Sequence, residues 1–151
     1  DPKTFDIPGE YEVSEIPVTG IVAPISAGKD GAKDAQKDAT KKTIFQFRVD
    51  DINFCQLGTI DQALPAELIE KIGDVDVLLV PVGGDGTLDS KKAHEVIEEI
   101  EPRIVIPMEY DDLTSFMKSS GVVSEVKESF SAANRAALPQ DKTEYVVLSA
   151  K

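Results

Sequence analysis

Apolar positions along the chain change from a two-residue period to a helical one, and the changes mark its elements. Over residues 10–24, EYEVSEIPVTGIVAP, apolar and polar side chains alternate with Val and Ile enriched, as strands with one buried face require. Pro8-Gly9 and Pro24 bound this run. It predicts one or two short strands, with Pro17 at a break or an edge because proline cannot donate to a ladder. The runs TIFQFRV (43–49) and INFCQLG (52–58) are separated only by Asp50-Asp51, which predicts a β hairpin. Leu64, Leu68 and Ile72 then recur at helical spacing between Pro65 and Gly73, predicting a short helix over 65–72. VDVLLVPV (75–82) is a continuous apolar run too short for a typical helix, so it reads as a buried strand. Asp89 or Ser90 can cap a helix whose Ala93, Val96, Ile97 and Ile100 share one face. RIVIP (103–107) predicts another buried strand, residues 112–120 a helix, and EYVVLSA (144–150) a closing strand.

Strands alternating with helices after a hairpin define an α/β layered domain rather than a bundle or barrel. In such domains ligands sit in the loops that leave buried strands, here 83–89 and 108–112. Residues 27–42, AGKDGAKDAQKDATKK, have no side chain larger than Ala to bury, and Lys-Asp pairs recur at 29, 33 and 37. A mobile, solvated insertion is expected there.

Composition narrows the function classes. With 151 residues, 41% of them apolar and 29% charged, the chain is sized for a single domain with its own core. The 28 acidic against 16 basic residues, net charge −12, argue against nucleic acid or an anionic membrane as partner, since phosphate contacts need clustered Lys and Arg. The lone cysteine, Cys55, excludes an internal disulfide, and no apolar run approaches the ~18 residues of a membrane span. No basic-then-apolar leader precedes residue 13; a cytoplasmic protein is expected. There is no initiating Met, so the start is expected to be a cut or processed end.

Five stretches in order, IPGEYEVSEIPVTGI, TIFQFRVDDINFCQLGTID, LPAELIEKIGDVDVLLVPVGG, TLDSKKAHEVIEEIEPRIVIPMEY and ALPQDKTEYVVL, together resemble the metallo-β-lactamase superfamily. The likeness points to its small Zn-dependent hydrolase branch, which includes the ascorbate-6-phosphate lactonase-like proteins. The resemblance implies an αββα layered fold, present here as its C-terminal half or a trimmed version. Members of that branch carry an N-terminal His-x-His-x-Asp-His metal motif, and Asp1 already lies past its place.

The family's visible metal positions have changed. Where it shows Leu-Gly-Asp-Leu-Gly, with a metal-bridging Asp, this chain reads Leu57-Gly58-Thr59-Ile60-Asp61, and where it shows Pro-Met-His-Tyr this chain reads Pro107-Met108-Glu109-Tyr110. No histidine stands among residues 21–42, where the family has another ligand. A dinuclear zinc site needs several imidazoles and carboxylates, and the chain has one histidine. Asp61 and Glu109 are the candidate metal positions, at or beside the degenerate ligands. The resemblance thus implies the fold together with a non-catalytic binding or structural role, with no tightly bound zinc. The expected partner is a second copy or the missing N-terminal half. The alternative is a partial or mononuclear hydrolase completed by a segment outside the chain.

Other signals are weaker. Gly83-Gly84-Asp85-Gly86-Thr87 matches the GGDGT signature of NAD and diacylglycerol kinases, whose glycines admit phosphate, but a glycine-permitted turn is the simpler expectation. His94, among Lys91, Lys92, Glu95 and Glu98, is expected to be solvated, and Cys55 to be a small buried hydrophobe. Asp61, Asp85, Glu109, Asp111 and Asp112 are expected to form a solvated acidic rim rather than an oxygen-only cation site.

Overall fold

The computed structural model describes residues 3–23 and 42–150; of the insertion expected at 27–42, all but Lys42 lies outside the described residues. Strands β1 (Gly9–Val13), β2 (Ile16–Val22), β3 (Thr43–Val49) and β4 (Ile52–Gln56) form an antiparallel series. Its two tight turns are Ser14-Glu15, with φ 50° and 68°, and Asp50-Asp51, with φ 49° and 64°. Positive φ at both central residues matches the twist of the flanking strands, and Asp tolerates that region better than most residues. Pro17 lies inside β2 opposite Glu12, while the pairing with β3 begins only at Val18. It therefore occupies an edge position and not a break, where its missing N–H costs no ladder bond to β3.

Helix α1 (Ala66–Ile72), strand β5 (Val77–Pro81), α2 (Ser90–Ile100), strand β6 (Ile104–Met108) and α3 (Thr114–Ser120) follow. Asp89 caps α2 by accepting from the Lys92 amide at 2.9 Å. From β4 onward the sheet is parallel, in the order β1-β2-β3-β4-β5-β6 and then a strand at Glu144–Tyr145, β8. The single closing strand expected at 144–150 is corrected: the run divides at Val146. Strand β8 (Glu144–Tyr145) completes the large sheet beside β6, whereas β9 (Val147–Leu148) pairs with β7 (Val126–Lys127) in a second, two-stranded sheet.

Register assigns the faces. Cross-strand neighbours Gln46, Cys55, Leu78, Val105 and Tyr145 point to one side, where Ala93, Val96, Ile97 and Ile100 of α2 and Phe116 of α3 build the main core. The opposite row, Tyr11, Val18, Phe47, Phe54, Val77 and Ile104, is covered only in part by the described residues. Leu138, Val146 and the half-buried Phe130 and Ala132 close over Val77 and Ile104, while Tyr11, Val18, Phe47 and Phe54 stay half-buried.

At the start of β5 a buried acid joins the layers. Asp76 is 1% exposed. Its carboxylate accepts from the Asn53 amide at 2.9 Å, from Arg135 Nε at 2.9 Å, and pairs with Arg103 Nε at 3.1 Å. No helix among the described residues is long and apolar enough to cross a membrane.

Candidate functional site

The sequence places glycines and polar residues directly after β4, β5 and β6, and because these strands are parallel, their following loops emerge at one end of the sheet. A cleft of about 550 Å³ opens there, with Lys42, Phe45, Gln56, Thr59, Met108 and Glu109 among its walls. It meets a second groove of about 590 Å³ that shares Met108 and Glu109 and adds Leu113, Val126, Val147 and Leu148. The first cleft mixes polar and apolar walls, and the second is mainly apolar.

Two local features shape it. A Cβ on Gly83 would overlap the carbonyl of Glu109, so glycine lets the loops after β5 and β6 touch backbone to backbone. Glu109 itself has φ 54°, an uncommon left-handed conformation for a residue of its type. The GGDGT segment closes on itself. The Gly84 amide donates to Leu88 O at 2.9 Å, the Thr87 amide to Gly84 O at 3.1 Å, and the Thr87 hydroxyl to the same oxygen at 2.8 Å. These two amides serve the turn, whereas a phosphate cradle directs its amides at the ligand.

The two positions singled out for their changed identity, Thr59 and Glu109, line the same cleft. Asp61 does not face it in the same way: its Oδ2 lies 3.1 Å from Lys42 Nζ, both side chains about one-fifth exposed. Lys42 Nζ also donates to Gly86 O at 3.3 Å. Asp112 sits just before α3, accepting from the Thr114 amide at 2.9 Å and its hydroxyl at 2.6 Å. These bonds hold the carboxyl below its ordinary range. Sequence reasoning missed Lys42, which was grouped with the biased segment, and Asp76, whose signal was a single acid inside the apolar run 75–82.

His94 is half-buried, which corrects the solvated placement. Its ring stacks on Phe116 at 4.6 Å and 2°, and Nε2 lies 2.8 Å from Ser119 Oγ. The contact packs α2 on α3, away from the cleft. Cys55 is fully buried, and burial pushes its thiol up to about 12. Iodoacetamide at pH 8 therefore leaves native Cys55 unmodified, and labelling proceeds only with global unfolding; stoichiometric labelling of the folded protein would contradict its burial.

The layered fold and the strand-end cleft place the chain in the metallo-β-lactamase class of folds. A family model described as a β-lactamase superfamily domain matches residues 1–109, and the chain belongs to that superfamily. A Thermotoga maritima member of the metallo-β-lactamase superfamily, provisionally named a Zn-dependent hydrolase, superposes with a TM-score of 0.76 at 26% identity, over 97% of this chain and 71% of that one. A UPF0173 metal-dependent hydrolase of Thermococcus onnurineus is 36% identical over 90 residues, 54% of this chain and 40% of that protein. Its counterpart in Carboxydothermus hydrogenoformans is 44% identical over 45 residues, 30% and 20% of the two chains. The chain thus spans well under two thirds of the curated relatives it matches.

Zinc is the metal named for the Thermotoga protein, and the residues of the cleft do not fit it. No group of three or more His, Cys, Asp or Glu converges among the described residues. The aligned positions offer a threonine hydroxyl and one carboxylate, whereas zinc sites draw on imidazole, thiolate and carboxylate together.

Proposed function

We propose that this chain is a non-catalytic member of the metal-dependent hydrolase family, acting by binding at the strand-end cleft. The supporting observation is the donor set: Thr59 and Glu109 face the cleft, and Asp61 is engaged by an ammonium. Hydrolysis in this fold needs an activated water with a lowered pKa, and neither a hydroxyl nor a lone carboxylate lowers one. What remains is a trough suited to a ligand with a polar group and an apolar body, since Glu109 and Met108 are shared by the cleft carrying Lys42, Gln56 and Thr59 and the groove walled by Leu113, Val126 and Val147. The same reading puts a partner on the uncovered sheet face, either a second copy or a polypeptide supplying the family's N-terminal half.

The test is metal content after purification without chelator, followed by hydrolysis assays on lactone, phosphodiester and thioester substrates. Substoichiometric zinc and no turnover are expected, and the double change Thr59→Asp with Glu109→His still gives no hydrolase. Stoichiometric zinc with metal-dependent turnover would overturn the proposal. A second reading, a mononuclear hydrolase completed by a segment outside the chain, draws support from relatives named metal-dependent hydrolases that extend well beyond the matched residues. Sequencing the coding region upstream of Asp1 separates the two, because a His-x-His-x-Asp-His segment there would favour the hydrolase.

A further inference from the structure

The register of the sheet brings three chain segments to one point. Lys42 immediately precedes β3, and because β3 runs antiparallel to β4, Lys42 lies beside the exit of β4. Strand β5 runs parallel to β4, so its loop, which contains Gly86, leaves at the same end. The Lys42 ammonium spans this junction, 3.1 Å from Asp61 Oδ2 on the β4 loop and 3.3 Å from Gly86 O on the β5 loop. An ammonium offers three donors and no acceptor, so a carboxylate and a carbonyl are matching partners.

We propose that Lys42 is a resident cation of the cleft: its ammonium, held between the Asp61 carboxylate and the Gly86 carbonyl, ties the loops after β4 and β5 together and places positive charge among the acids of this strand end. The proposal rests on the reading that the family's metal is not held here and says what does part of its work. Metal ions in a site of this kind join loops and neutralise carboxylates. Here the lysine does both.

Two observations set this pair apart from an ordinary surface ion pair. Lys42 and Asp61 are 19% and 22% exposed, against 60% and 81% for the Arg48–Asp51 pair, so solvent and salt screen them less. The cleft wall that holds Lys42 also carries Asp6 and Glu109. Removing the lysine therefore takes positive charge from a point where acids gather, in a chain whose net charge is already −12.

The experiment is amide exchange on the whole chain, comparing wild type with Lys42→Met, Lys42→Arg and Lys42→Glu, each with and without millimolar Mn²⁺. Exchange at the Gly84 and Thr87 amides of the β5 loop is expected to rise about tenfold in Lys42→Met, equivalent to ~1.4 kcal/mol of local opening, and to stay near wild type in Lys42→Arg. In Lys42→Glu, Mn²⁺ slows the accelerated exchange again, because the added carboxylate beside Asp61 makes a cation site, while wild type does not respond to the ion. Unchanged exchange in Lys42→Met, or equal slowing of wild type by Mn²⁺, would overturn the proposal; should Lys42→Glu fail to fold, the Met and Arg variants decide it. None of these measurements reads turnover. Hydrolysis by a protein whose lysine clip behaves as expected would sink only the non-catalytic reading, and an inactive protein without the clip only this inference.

Discussion

Replacing Asp76 by alanine lowers folding stability by about 3 kcal/mol, the largest single-residue effect expected outside the apolar core. Removing one member of a buried charge cluster strands the others, at a cost of roughly 3–5 kcal/mol when the stranded groups are fully buried. Arg103 and Arg135 are 25% and 44% exposed and partly rehydrate, which places the effect at the low end. The Asn53 amide also loses its acceptor. Asp76→Asn retains an oxygen for that amide but sets an NH2 donor where Oδ1 accepted from both arginines, so its cost is expected to be smaller only by the amide's retained acceptor. Urea denaturation gives the numbers through the midpoint at unchanged slope, and a loss below ~0.5 kcal/mol, the range of ordinary surface substitutions, would show that the arginines find other partners. Asp76 precedes β5 while the cleft follows it. Ligand binding by the folded variant is therefore expected to be unchanged.

What the sequence revealed divides along local and non-local lines. The hairpin was legible because Asp50-Asp51 interrupts two β-rich runs, and α2 because Asp89 and an apolar face at helical spacing are both short-range signals. The division of EYVVLSA was not legible. Alternation states that a strand exists but not which neighbour it pairs with, and here Glu144–Tyr145 and Val147–Leu148 go to different sheets. Strand β7 and the 3-10 turn Arg135–Ala137 carry no period long enough to detect. At the site, resemblance located Thr59 and Glu109, and the structure brings both to one cleft. Lys42 escaped because its partners, Asp61 and the Gly86 carbonyl, are fixed by the register of three strands. Composition alone described Lys42 as the last residue of a charged tract, and no local pattern separated it from Lys29, Lys33 or Lys37.

The isolated chain is expected to associate through the uncovered half of its sheet. Tyr11, Val18, Phe47 and Phe54 form one row across β1 to β4, half-buried, with Phe47 and Phe54 stacked at 4.9 Å. The same row continues into Val77 and Ile104, which are 0% and 3% exposed beneath the segment carrying Phe130, Ala132 and Leu138. Among the described residues, one half of a continuous apolar surface thus has a cover and the other half does not. Aromatic side chains on such a surface supply about 1.5–3 kcal/mol each when fully buried, and contiguous exposed apolar area is the usual mark of an association surface. Sedimentation at rising concentration is expected to show a self-associating species that binds an apolar dye. The double change Phe47→Asp with Phe54→Lys is expected to weaken association by about a hundredfold, the factor that ~2.7 kcal/mol gives. Folding is expected to survive, because both positions are partly exposed and lie off the main core. A wild-type chain that stays monomeric at high concentration without dye binding would mean that the sheet face is satisfied within one molecule, and no partner would then be required there.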